Sequence, residues 1–245
     1  GEYCLELSAP EIVKGERISQ LELEAVAAAE RTLQDKEQEQ RMFLVGYTVT
    51  QLRLDHYPMT SLEGHTGQVL EAAVVATFLP SEVVDSLYAV MVEAGLEVAS
   101  LTLEPIAALN AAIPEDIRLL NLALVDIGAG TTEIALCRDG GVVGYTMATV
   151  AGDEITEALM RACLVDYHTA ERIKMQLGKG VPISFEDVVG VEQSCSDEEI
   201  FSMIEPEVQR LADEIARRVL ELNERPPSAL FLAGGGSKLA GLSGR

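Results

Sequence analysis

One short segment limits the folds open to this chain: Val125-Asp126-Ile127-Gly128-Ala129-Gly130-Thr131-Thr132-Glu133-Ile134-Ala135. The near-continuous apolar run Leu122 to Ile127 breaks at Gly128, and the β pattern resumes over Thr132 to Leu136. A strand, a tight turn and a second strand are therefore predicted. Gly128 and Gly130 lack a Cβ, so backbone N–H groups there can approach an anion closely, and Thr131 and Thr132 add hydroxyl donors. Asp126 stands at the end of the first strand, where a carboxylate can hold the water shell of a Mg²⁺ ion. The pattern points to a phosphate-binding turn; glycines that serve hairpin geometry alone are the alternative.

Net charge makes such a local site necessary if an anion is bound at all. With 18 basic and 40 acidic residues the chain carries a formal −22, a field that repels nucleic-acid phosphates and anionic lipid headgroups. Nucleic acid is excluded as an expected partner, and a polyanionic nucleotide has to be held by backbone donors or a metal. Hydrophobic residues make up 48% of the 245 but aromatics only 4%, so an aliphatic core is expected. Cys4, Cys137, Cys163 and Cys195 form no C-x-x-C pair or ligand set, and they read as buried free thiols of a reducing cytoplasm. His56, His65 and His168 have no clustered partners and read as surface or turn residues. No signal peptide and no apolar run near the ~20 residues that span a bilayer is visible.

Along the chain, residues 3 to 8 alternate as a strand and Ser19 to Leu33 has helical periodicity, followed by a charged turn over Gln34 to Gln40. Arg41 to Leu54 and Gln68 to Leu79 read as strands. Ser81 to Ala94 reads as a helix with Ser81 as N-cap, Val84, Leu87, Val90 and Met91 on one face, and Gly95 as stop. These elements make residues 1–95 an α+β unit. A strand over Val98 to Leu103 enters a helix over Glu104 to Ala112, with Pro105 in its first turn. Asp139, Gly140 and Gly141 turn the hairpin into Val142 to Val150. Helices are expected over Asp153 to Val165, Thr169 to Leu177 and the run marked by Ile204 to Leu222. The last elements are a strand over Ala229 to Leu232, the Gly234-Gly235-Gly236 turn and a helical start that Arg245 cuts off.

Two more segments carry chemistry. Glu171 and Lys174 lie three residues apart on one helix face, where both can reach a ribose; a solvated surface ion pair is the plainer alternative. Gly234, Gly235 and Gly236 form a strand-to-helix turn stripped of side chains, against which a flat adenine and its phosphates can lie. The spacing is that of neither a P-loop nor a dinucleotide-binding G-x-G-x-x-G.

The order of these segments resembles the superfamily of sugar kinases, DnaK-type chaperones and actin. Asp126 to Ala135 resembles its second phosphate motif, Gly152 to Lys174 its ribose region, Leu232 to Leu242 its adenosine motif, and Glu104-Pro105-Ile106-Ala107-Ala108 its first connecting helix. The α+β unit ahead of that helix resembles the extra subdomain of the bacterial cell-division FtsA type, which the pilus protein PilM shares. The resemblance implies an α/β, actin-like (ribonuclease H-like) fold with an FtsA-type subdomain over 1–95 and a nucleotide-binding lobe over 96–245, truncated at both ends, without the first phosphate motif or the C-terminal membrane helix. It further implies ATP and magnesium as ligands, with Gly128, Gly130, Thr131 and Thr132 on phosphates and Asp126 on Mg²⁺ through water. Glu171 and Lys174 would contact ribose, Gly234, Gly235 and Gly236 would face adenine and phosphate, and Glu104 would orient or activate the hydrolytic water. The implied role is a weak ATPase that polymerises and tethers an FtsZ-like ring, cytoplasmic and peripheral to the inner face of the membrane. A PilM-type assembly scaffold, or a nucleotide-regulated scaffold with little hydrolysis, stays open beside it.

Overall fold

Two compact units emerge in the computed structural model, which describes residues 1–34, 41–223 and 225–242. The first comprises Gly1–Leu103 with Gly141–Val143, the second Glu104–Gly140 with Gly144–Arg245.

The first unit is built from β1 (Glu2–Ile12), α1 (Gly15–Gln34), β2 (Met42–Leu54), β3 (Tyr57–Met59), β4 (Thr66–Pro80) and α2 (Ser81–Glu93). Its sheet runs β1-β4-β2-β3, and every pairing is antiparallel. Such a sheet can bury one face and leave the other wet. Helix α1 covers the buried face, setting Leu21, Ala25 and Val26 against Leu7, Leu70, Ala72 and Val74. The β2–β3 turn puts Asp55 and His56 at positive φ (49° and 70°), as a two-residue hairpin requires. The Asp55 carboxylate accepts from the amides of Gln68 (2.9 Å) and Val69 (2.8 Å), which ties that turn to β4. Those amide bonds hold the Asp55 carboxyl below its usual range.

The second unit holds α3 (Glu104–Ala112), β5 (Leu122–Ile127), β6 (Thr132–Arg138), β7 (Gly141–Ala148, of which Gly144 onward belongs to this unit), α4 (Gly152–Cys163), α5 (Tyr167–Gln176), β8 (Ile183–Glu186), β9 (Glu192–Cys195), α6 (Asp197–Asn223) and β10 (Ala229–Ala233). Its main sheet runs β10-β5-β6-β7, with β10 parallel and β6 antiparallel to β5. Strand β5 is central, and Leu122, Ala123, Leu124, Val125 and Ile127 are all buried, as its apolar run requires. Helix α3 packs on β5 and β6, and α6 packs on β6 and α4. The buried stripe of α6, Ile200, Ile204, Val208, Leu211, Ile215 and Val219, keeps helical spacing throughout.

Several expectations need correction. Residues 98–103 form no strand, having no neighbouring strand to satisfy their backbone groups. Ser81 is the first helical residue of α2, and the cap position falls on Pro80 with no side-chain cap. Of the apolar face expected on α2 only Val84 is buried; Leu87, Val90 and Met91 are exposed. Strands β3, β8 and β9 lie in stretches to which no element is assigned above, because four-residue or shorter strands leave almost no periodicity to read. Helix α6 starts at Asp197 rather than near Ile204, on a reciprocal cap in which Ser196 N donates to Glu199 Oε2 (2.8 Å) and Glu199 N to Ser196 Oγ (3.2 Å). After Gly235 comes a single 3₁₀ turn, Gly236–Lys238, in place of a helical start. The charged turn lies, from residue 35 onward, outside the described residues. All four cysteines are free, but only Cys137 and Cys163 are buried; Cys195 is half-buried and Cys4 exposed. Among the described residues no helix is long and apolar enough to cross a membrane.

The α1–sheet contact generates a direct test. Leu21 is completely buried between α1 and the sheet. Leu21→Ala should destabilise the first unit by about 2–5 kcal/mol, read as lost amide-exchange protection across β4, with the second unit's protection unchanged.

Candidate functional site

The turn between β5 and β6 is held from two sides. Gly128 N donates to Thr131 O across the turn (2.9 Å), and a Cβ at Gly128 would come within 3.1 Å of that same oxygen. From outside, the first amides of α4 reach in: Gly152 N donates to Gly128 O (3.1 Å) and Asp153 N to Ala129 O (2.7 Å). Two orphan donors of a helix N-terminus thus grip the turn by its carbonyls. The amides of Ala129 and Gly130 make no hydrogen bond within the chain among the described residues, and both residues are exposed. Glycine at 152 suits this close approach, since a Cβ would sit 3.0 Å from Gly128 O. Helix α4 supports the turn rather than offering an anion site of its own, because Ala151 N is likewise taken by Glu154 Oε2 (2.8 Å).

The third glycine turn folds back on the same strand. Gly234 has φ +78°, and a Cβ there would overlap the Asp126 carboxylate and the Ile127 carbonyl. A Cβ at Gly236 would run into the Ile127 side chain, whereas one at Gly235 would meet nothing within 4 Å. Ser237 Oγ donates to Gly234 O (2.7 Å) and closes the turn.

Between these turns and α5 lies a cavity of about 530 Å³. Gly128, Ala129, Gly152, Glu171, Lys174, Gly235 and Gly236 bring polar edges to it. Ile155, Met175, Leu177, Leu211 and Leu239 give it an apolar lining, and Lys179 and Lys238 add two cations. That mixture of apolar wall and few polar groups is typical of a small-molecule site.

Glu171 and Lys174 are not a solvated surface pair. Their side chains are 27% and 17% exposed, and they join directly. Lys174 Nζ also donates to Gly152 O (3.1 Å) and to Thr156 Oγ1 (2.7 Å), so all three ammonium protons have partners inside the chain. The fully buried Thr156 hydroxyl donates to Glu171 Oε1. Burial works to raise the Glu171 carboxyl, but the bonds from Lys174 and Thr156 and the lysine charge outweigh it and hold the group below its usual range.

The acidic residues form a separate group. Asp126 and Glu133 are cross-strand partners on β5 and β6, so their side chains share one sheet face, while Ile127 and the cavity lie on the other. Glu104, at the start of α3, lies near enough to Glu133 for its charge to act on that carboxyl. Burial pushes the Glu133 carboxyl up, and the charges of Glu104 and Asp126 add to that, against a smaller opposing bond from Thr131. Among the described residues no group of three or more His, Cys, Asp or Glu is arranged to hold a metal ion. Asp126 would therefore meet a divalent ion through water rather than as one of a cluster of protein ligands.

The expected site residues consequently divide. Gly128, Glu171, Lys174, Gly235 and Gly236 line one cavity; Gly130 and Thr131 sit on the turn beside it. Glu104 and Asp126 meet with Glu133 on the opposite sheet face. Thr132 is fully buried with its hydroxyl on Val150 O (2.7 Å), and Gly234 is packed against β5, so neither lines the cavity. The reading along the chain missed Gly152, Thr156 and the apolar lining. A glycine opening a helix, where it is a poor helix former, was the signal available for Gly152; Thr156 gave none.

Parts of this sequence and fold are shared with known proteins. The family model described as "Cell division protein FtsA" matches residues 123–243. Cell division protein FtsA of Bacillus subtilis (strain 168) is 28% identical over 159 residues, covering 61% of this chain and 36% of that protein. That of Pseudomonas aeruginosa is 28% identical over 191 residues, covering 73% of this chain and 45% of that protein. The chain thus spans less than half the length of these relatives. Among solved structures, a PilM-PilN type IV pilus biogenesis complex matches with a TM-score of 0.62 at 24% identity, over 99% of this chain and 62% of that one. MreB5 of Spiroplasma citri bound to ADP matches with a TM-score of 0.51 at 26% identity, over 64% of this chain and 55% of that one. An actin-like ATPase fold is common ground among these matches.

Two tests follow from the packing. Gly234→Ala forces a side chain into positive φ and into β5, and should lower stability by at least about 1–3 kcal/mol, while Gly235→Ala should leave the melting temperature nearly unchanged. A lowered Glu171 pKa contributes stability that is present above the unfolded carboxylate value of about 4.3 and is lost as pH falls through the lower folded value. The melting-temperature deficit of Glu171→Gln should therefore be largest near neutral pH and shrink below about pH 4.

Proposed function

We propose that this chain, an FtsA-type protein of the actin-like ATPase fold, binds ATP with Mg²⁺ in the cavity that Gly128, Glu171 and Gly235 line. The observation that carries the reading is convergence: segments separated by over a hundred residues, the β5–β6 turn, the α5 pair and the glycine turn after β10, meet around one cavity of about 530 Å³. The amides of Ala129 and Gly130, unbonded among the described residues, are donors for phosphate oxygens. The apolar lining of Ile155, Met175, Leu177, Leu211 and Leu239 suits a flat base. In a field of −22, backbone amides together with Lys179 and Lys238 provide the local positive potential that the chain as a whole lacks.

Asp126 would hold Mg²⁺ through water, and the ion would supply charge neutralisation on the phosphates. Glu104 would orient or deprotonate the attacking water. One observation favours binding with little turnover: the acidic group lies on the opposite sheet face from the cavity lining. A nucleotide-regulated scaffold, of FtsA or PilM type, accommodates that arrangement as readily as a slow ATPase does. Filament formation, contact with an FtsZ-like ring and a peripheral place on the inner face of the membrane rest on the family resemblance.

Calorimetric titration of Mg-ATP tests the site, with Gly235→Val as control. Nothing surrounds a Cβ at Gly235, so the valine fills the cavity while the fold survives. Binding by the parent chain and a loss of at least about tenfold in the variant are expected; equal affinity would overturn the placement. For turnover, Glu104→Gln should keep ATP affinity and reduce hydrolysis by about 10²–10⁴-fold, measured as phosphate release.

A further inference from the structure

Thr156 has not been given a role by any motif, and it does not line the cavity, yet it bonds the two charged residues, Glu171 and Lys174, that do. It lies on α4, is completely buried, and its hydroxyl accepts from Lys174 Nζ at 2.7 Å; its one proton faces Glu171 Oε1, the nearer acceptor, and Gly152 O at 3.1 Å. Gly152 O, which accepts from the same ammonium at 3.1 Å, belongs to the residue that grips the β5–β6 turn. Lys174 has no proton left to donate to a ligand, since Gly152, Thr156 and Glu171 take all three. Glu171 differs: both of its bonds fall on Oε1, it lines the cavity, and Oε2 has no partner among the described residues. An ionised carboxylate oxygen of that kind accepts and cannot donate, so it selects ligand groups that carry O–H or N–H.

We propose that Thr156 is a positioning residue: together with Lys174 it clamps Glu171 Oε1, which turns Oε2 toward the cavity to accept from the sugar hydroxyls of the bound nucleotide. The inference rests on the nucleotide reading given above and changes the division of labour within it. Lys174 becomes a strut between α5 and the N-terminus of α4, and Glu171 alone reads the sugar. The clamp also links sugar recognition to the phosphate turn, because the same ammonium is bonded to Gly152 O.

The test compares ATP with 2′,3′-dideoxy-ATP, which lacks both sugar hydroxyls, on the full chain and on Thr156→Val and Thr156→Ser. The parent should bind ATP more tightly than the dideoxy nucleotide. Thr156→Val should weaken ATP about tenfold and leave the dideoxy nucleotide within about twofold, so that the preference collapses, and Thr156→Ser should restore it. Equal weakening of both nucleotides, or an unchanged preference, would overturn the role. If the parent binds neither nucleotide, the nucleotide reading itself fails, and the clamp is judged without ligand. Thermal unfolding of Thr156→Val, Lys174→Met and the double variant then decides: a non-additive pair supports the clamp, and additive effects overturn it.

Discussion

The hold of α4 on the β5–β6 turn is the constraint from which the site follows. A helix N-terminus has amides with no partner in the helix, and a tight turn has carbonyls that the strands cannot use. Here each answers the other, through Gly152 N on Gly128 O and Asp153 N on Ala129 O. With its carbonyls taken, the turn is left with amide donors on its open side. The contact also brings Gly152 O within reach of Lys174, so the geometry of the turn extends into α5 through a single ammonium. Glycine at 152 serves the close packing of this contact, where a Cβ would come within 3.0 Å of Gly128 O.

On the other side of β5, the parallel pairing with β10 delivers the last glycine turn to the same place. Gly234 and Gly236 have no room for a Cβ because the chain doubles back over Asp126 and Ile127, whereas Gly235 opens into the cavity. Three adjacent glycines thus do different things: two allow close backbone approach and the middle one leaves space. Strand β5 carries both arrangements, with Ile127 toward the cavity and Asp126 toward Glu133. The alternation of a strand separates the apolar and acidic parts of the site by one residue.

Two expectations failed for related physical reasons. Helix α2 has a strongly apolar sequence but buries only Val84, and residues 98–103 have β composition without a strand. Hydrophobicity and β propensity state what a segment would do against a partner surface; they do not supply the partner. The reverse held for the short strands β3, β8 and β9, whose pairing is maintained by turns. Asp187 illustrates this: its carboxylate accepts from Val189 N and Val191 N (both 3.0 Å) and fixes the β8–β9 turn regardless of any hydrophobic pattern.

What the sequence determined by itself is local and periodic. The apolar run of β5, the glycines of the two turns, Pro105 in the first turn of α3 and the stripe of α6 follow from backbone sterics, desolvation and helical spacing, all of which act between near neighbours in the chain. The order of those motifs was enough to indicate an actin-like fold and to name five of the residues that line the cavity, Gly128, Glu171, Lys174, Gly235 and Gly236. Tertiary structure decided the rest. It placed Thr132 inside rather than on the ligand side, gave the protons of Lys174 to Gly152, Thr156 and Glu171, and set Glu104 beside Glu133 instead of in the cavity. None of these has a signature in spacing, because a hydrogen bond between distant segments depends on which side chains the fold brings within about 3 Å, and the sequence lists the donors and acceptors without pairing them.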